Sequence, residues 1–147
     1  MDTDLLRSIF LDAHVLDLDF SRWDRSVKIL VVATEMPADS EKRLPVFVVD
    51  FLAVTELSVK LSHLDQPLEE GHYQWRAHSF KLSRRGEKTH LVISGSKQFP
   101  VLALTCGDIQ VRPVDQRALT KSFPGWDRPG GPFVRPGIED VLAGPGF

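Results

Sequence analysis

The sequence predicts an all-β fold, mainly an antiparallel β-sandwich or a partly open barrel. Three observations point there. Short apolar or alternating runs recur from about residue 14 to residue 111, turn-forming residues separate them, and no strand–helix–strand alternation appears. A short N-terminal helix and an irregular Gly/Pro-rich C-terminal segment complete the expected architecture.

Residues 3–11 read as the helix. Thr3 or Asp2 can cap it, Asp4 favours its first turn, and Leu5, Leu6, Ile9 and Phe10 share one face. The first strand is expected over His14–Phe20, with His14, Leu16, Leu18 and Phe20 holding the sheet and Asp17 and Asp19 facing outward. A polar turn containing Arg22, Trp23 and Asp24 leads to a second strand, Val27–Thr34, rich in β-branched residues and apolar on both faces. The loop EMPADSEKRLP carries two prolines and five charges and reads as solvent-exposed. Further strands are expected over Val46–Val54, Leu57–Leu64, Gln74–Ser83, Thr89–Ser94, Val101–Thr105 and Ile109–Val111. RRGEK between two alternating runs signals a hairpin, on which His78 and His90 are candidate cross-strand neighbours.

Composition bounds the function. The 147 residues suit one β-rich domain over 1–121, followed by a Gly/Pro/aromatic segment over 122–147. That segment is too rich in breakers for a regular strand or a long helix. Its Phe123, Trp126, Phe133, Val134 and Phe147 argue for docking along the domain or onto a partner, in whole or in part, over full disorder. The net charge of −2 offers no global field for nucleic acid or an anionic membrane. Cys106 is the single cysteine, so the chain has no internal disulfide and no thiolate cluster for zinc. At the end of an apolar run, it reads as a buried, inert thiol. The acidic N-terminus does not resemble a secretory signal, and the longest apolar run is interrupted by Asp50, so a cytoplasmic, reducing location is expected, with no membrane partner.

Catalytic patterns are missing. There is no GxSxG elbow, no Gly-rich phosphate loop and no cysteine beside a plausible base, so no enzyme activity and no cofactor are expected. Asp12, Asp17, Asp19 and Asp24 with His14 match no calcium loop, and the histidines His14, His63, His72, His78 and His90 lack the spacing of a helical zinc site, so no metal is assigned. A deep polar pocket containing His14 or His78 would revive an enzyme or ligand-carrier reading. Charge is nevertheless polarised. Residues 1–24 carry six Asp and two Arg, net −4, whereas residues 76–97 carry Arg76, Lys81, Arg84, Arg85, Lys88 and Lys97 against Glu87, net +5. With Tyr73, Trp75 and Phe80 nearby, the basic hairpin could suit single-stranded nucleic acid, but separate acidic and basic patches fit a protein partner better. Exposed tryptophan is an interface residue by preference. Trp23 and Trp126 therefore read either as interface residues or as plugs at the end of the core. The candidate partner-binding set is Asp17, Asp19, Trp23 and Asp24, with Trp126 and Phe133 as a second contact.

The stretches FLDAHVLDLDF, VKILVVATE, VFVVDFLAVTELSVKLSHL and FKLSRRGEKTHLVISG, in that order after a short helix, resemble small bacterial β-sandwich immunity proteins of polymorphic toxin systems. The resemblance covers about residues 5–95 and lies in apolar positions more than in identities. It implies a non-catalytic binder that neutralises a cognate toxin by covering its active site, and it assigns no residue a role. The alternative is a structural or accessory subunit of a larger assembly, docking through its C-terminal segment.

Overall fold

The computed structural model describes residues 2–40, 43–61, 76–95, 100–122 and 137–143. The chain begins with helix α1 (Thr3–Phe10), whose N-cap Asp2 accepts a hydrogen bond at Oδ1 from the Leu5 N–H at 3.1 Å. Eight residues are too few for a stable isolated helix. Burial holds this one in place: Leu6, Ile9 and Phe10 are 1% exposed or less, each contributing about 1.5–3 kcal/mol of transfer free energy.

The strands are β1 (Ala13–Ser21), β2 (Ser26–Val32), β3 (Val46–Leu52), β4 (Glu56–Lys60), β5 (Arg76–Arg85), β6 (Lys88–Gly95), β7 (Val101–Cys106) and β8 (Asp108–Pro113). All their pairings are antiparallel, in the order β4-β7-β6-β5-β1-β2-β3-β8. The predicted antiparallel β-rich class is therefore the observed one, and the sheet is not closed by a ladder between β4 and β8. Its two ends are nonetheless neighbours in the chain. β3 runs through a bend into β4, β7 runs through Gly107 into β8, and the bends are joined by Gly107 N–H to Leu52 C=O at 3.0 Å and Thr55 N–H to Thr105 C=O at 2.9 Å. Among the described residues, the seam between β1 and β5 consists of Ala13↔Ala77 and His14↔Arg76.

Two cores result. The inner one joins Leu6, Ile9 and Phe10 of α1 to Val15, Ile29, Val49, Phe51, Leu91, Ile93, Leu102 and Leu104. Phe10 stacks between Phe80 and Phe51, at ring-centroid distances of 5.3 and 6.5 Å. The outer core joins Leu16, Leu30, Val32, Val46 and Val48 to Val114 and to two short helices, α2 (Gln116–Ser122) through Leu119 and α3 (Ile138–Ala143) through Ile138 and Val141. The central strands β2 and β3 are thus covered on both faces, as their largely apolar sequences, interrupted only by Lys28 in β2 and Asp50 in β3 beyond the terminal Ser26, require.

Two expectations are corrected. A β-bulge at Leu16 makes Val15 and Asp17 face consecutive residues of β2, Val31 and Leu30. The extra residue reverses the alternation, so Ala13, Val15 and Leu18 belong to the inner core while Leu16 joins the outer one. A second bulge, at His78, lies between the Ala77↔Gly95 and Ser79↔Ser94 pairs, so Ala77 and Phe80 both face inward. His90 pairs with Ser83, and His78 and His90 are not cross-strand neighbours. The β5–β6 turn is the two residues Gly86 and Glu87, with Gly86 at φ +67°, the left-handed conformation such tight turns demand.

Candidate functional site

The turn end of the β1–β2 hairpin carries the most exposed large apolar side chains of the described residues, Trp23 at 99% and Phe20 at 58%. Phe20 pairs with Val27 at the far end of β1, where the strand outruns the core. Transfer of a tryptophan from water is too favourable for full exposure to contribute to folding. The turn beneath Trp23 is fixed from several sides. Ser26 Oγ donates to Asp24 Oδ1 at 2.7 Å, and Lys28 Nζ donates to Ser26 Oγ at 2.9 Å. Between Asp24 and Ser26, Arg25, at φ +52°, offers its C=O to the Val54 N–H at 2.9 Å, tying the turn to the β3–β4 bend. The hydroxyls of Ser26 and Ser21 hold the Asp24 carboxyl below the usual carboxylate range, with Lys28 adding to the effect, so Asp24 stays ionised at neutral pH.

This network continues into the sheet. Lys28 stands opposite Asp19 on β1 and Asp50 on β3, and its Nζ lies 3.5 Å from Asp50 Oδ1. Asp50 is only 2% exposed, and Arg112 Nη2 meets its other oxygen at 3.3 Å. A buried carboxylate is sustained only where cations neutralise it; Lys28 and Arg112 do so from the strands on either side of β3. The chain Asp24–Ser26–Lys28–Asp50–Arg112 therefore couples the turn to the sheet.

Asp17 lies elsewhere. Its Oδ1 accepts from the Leu18 N–H at 2.9 Å and its Oδ2 from the Ile138 N–H at 2.8 Å. Ile138 opens α3, and a first-turn N–H has no partner within its own helix; Asp17 supplies one from across the sheet. The bulge at Leu16 turns Asp17 to this face. Of the six predicted partner-binding residues, Asp19, Trp23 and Asp24 gather at the turn, Asp17 binds α3, and Trp126 and Phe133 lie outside the described residues. Phe20, which sequence reasoning assigned to the core, joins the exposed group; its place at the strand end beside a polar turn was the available signal.

A cleft of about 360 Å³ opens between α1 and β5, lined by Arg7, Ser8, Leu11, His78, Ser79 and Phe80. In it His78 Nδ1 lies 2.7 Å from Asp12 Oδ1. Asp12 takes a left-handed φ of +49°, and its C=O accepts from Thr34 Oγ1 at 2.7 Å and Arg76 Nε at 3.1 Å. Ser, His and Asp thus come close together, but the Ser8 hydroxyl donates back to Asp4 C=O at 2.9 Å and not to the imidazole. A nucleophile needs its proton directed at a base, and this arrangement lacks that step. Among the described residues no group of three His, Cys, Asp or Glu side chains is placed to hold a metal ion. No helix among them is long and apolar enough to cross a membrane. His63, His72, Tyr73, Trp75 and Lys97 lie outside the described residues.

The fold and turn thus define an antiparallel β-rich protein with a projecting aromatic turn. No protein-family model, curated protein or solved structure matches the chain.

Proposed function

We propose that the chain is a non-catalytic protein-binding module whose β1–β2 turn is the recognition element. Trp23 is the anchor, Phe20 extends the apolar contact, and Asp19 and Asp24 supply acidic rim contacts. The observation that carries this reading is Trp23, 99% exposed on a turn held by hydrogen bonds through the adjoining Asp24, Arg25 and Ser26. A turn whose backbone is already held loses less entropy on binding, and tryptophan is prominent among residues that dominate binding energy. The resemblance to immunity proteins narrows the partner to a bacterial toxin. The acidic N-terminal stretch suits a basic one, since complementary fields set association rate and specificity. Cytoplasmic binding of such a toxin is the setting this reading entails.

The reading is tested by affinity capture with the full chain. Wild type retains its partner, and Trp23→Ala or a double charge reversal at Asp19 and Asp24 releases it while the unfolding midpoint stays unchanged. The accessory-subunit alternative places docking in residues 122–147. The packing of Ile138 and Val141 onto the chain's own sheet favours the turn instead, and it means that deleting 122–147 removes part of a core as well as a tail.

A further inference from the structure

β4 ends the sheet on one side. It pairs with β7 along one edge, and among the described residues nothing pairs with the other. All five of its residues are exposed, an unusual state for a strand, and Leu57, Val59 and the adjoining Leu61 leave 38%, 38% and 51% of their surface open. Leu57 and Val59 stand opposite the buried Leu104 and Leu102, so the apolar row of the inner core runs out into solvent at this edge. Unpaired edges invite further strands, and proteins ordinarily blunt them with charge, proline or a covering segment.

The residues Glu56, Leu57, Ser58, Val59 and Lys60 are self-complementary when read antiparallel about Ser58. A second β4 laid against the first puts Glu56 opposite Lys60 twice, Leu57 opposite Val59 twice, and Ser58 opposite itself. Opposite charges and apolar pairs facing each other across antiparallel strands are stabilising, and like charges are not. We infer that β4 pairs antiparallel with β4 of a second copy of this chain, giving a two-fold dimer with a sheet continuous across the interface.

The other open edge, β8, has a similar run, Asp108 to Arg112, but fits the role less well. Arg112 is drawn to the buried Asp50, Asp108 Oδ1 accepts from its neighbour Ile109 N–H, Ile109 is already buried, and Pro113 ends the strand without an N–H. Glu56 is only lightly engaged within its own chain, by a 3.4 Å contact from Thr105 Oγ1 to Oε2.

Sedimentation equilibrium of the full chain over a concentration series reaching about 100 µM tests the dimer. Lys60→Glu sets Glu56 against a glutamate at both symmetric positions and should weaken association about tenfold or more. The double exchange Glu56→Lys with Lys60→Glu restores both attractive pairs and should recover the dimer. Rescue separates this pairing from one between β4 and β8, in which the double exchange would face Arg112 and Asp108 with like charges and worsen association. Should Lys60→Glu fail to fold, Ser58→Lys, which opposes two lysines at the two-fold axis, gives the same readout. A monomer across the series, association indifferent to the reversals, or absence of rescue overturns the inference. Because the readout is oligomeric state, it stands or falls independently of Trp23.

Discussion

The Asp17 carboxylate accepts a hydrogen bond from the Ile138 N–H at 2.8 Å, joining residues 121 positions apart. This one contact ties α3 to the bulge in β1. Asp17→Ala should cost about 1–2 kcal/mol, as loss of a helix cap does. Urea unfolding checks this through a lower midpoint with little change in slope, and Asp17→Asn, which keeps an acceptor oxygen, should fall between the alanine variant and wild type.

Asp50 with Lys28 and Arg112 forms the buried charge centre beside the turn. Asp50→Ala leaves the Lys28 ammonium half-buried without its main counter-charge and should cost about 3 kcal/mol. The double replacement Asp50→Leu with Lys28→Met removes both charges together and should recover most of that loss. Denaturant unfolding of the single and double variants measures the difference.

Burial pushes the Cys106 thiol up to about 11, with the Asp108 charge adding to the shift. The folded state therefore holds this proton more tightly than the unfolded chain, whose thiol titrates near 9.0. The corresponding stability is fully present below pH 9 and is lost as pH rises towards 11. Cys106→Ala should flatten the alkaline fall in stability across that window. Native protein at neutral pH should react with a thiol reagent far more slowly than denatured protein, since the thiolate is the nucleophile.

Gly95 sits where β6 meets the start of β5, and a Cβ there would lie 1.9 Å from the Arg76 carbonyl oxygen. Backbone cannot yield as a flexible side chain does. Gly95→Ala should therefore destabilise by about 1–3 kcal/mol, whereas Gly86→Ala meets no atom within 4 Å and carries only the strain of its positive φ. Thermal unfolding of the two variants ranks them.

Much of the sheet was legible because the physical signal is local. The largely apolar runs of β2 and β3 announce burial on both faces, and RRGEK announces a tight turn. The bulges at Leu16 and His78 were not legible: each adds one residue to a ladder without a distinctive composition, and each reverses the face of the residues after it. That reversal moved Leu16 to the outer core and Asp17 into contact with α3. Helices α2 and α3, of seven and six residues, are too short to show helical periodicity, and their stability comes from the sheet they cover. The turn fared better: Trp23 between charged residues was visible in the sequence, but its exposure, and the Asp24–Ser26–Lys28–Asp50 chain beneath it, depend on strand register.

Recognition through the β1–β2 turn rests on Trp23. The most direct measurement is partner affinity of the full chain against that of Trp23→Ala, with thermal unfolding of both. The expected result is a loss of binding of about 2 kcal/mol or more, some thirtyfold in Kd, at an unchanged unfolding midpoint. Equal affinity in the two proteins would contradict the assignment of the β1–β2 turn as the recognition element.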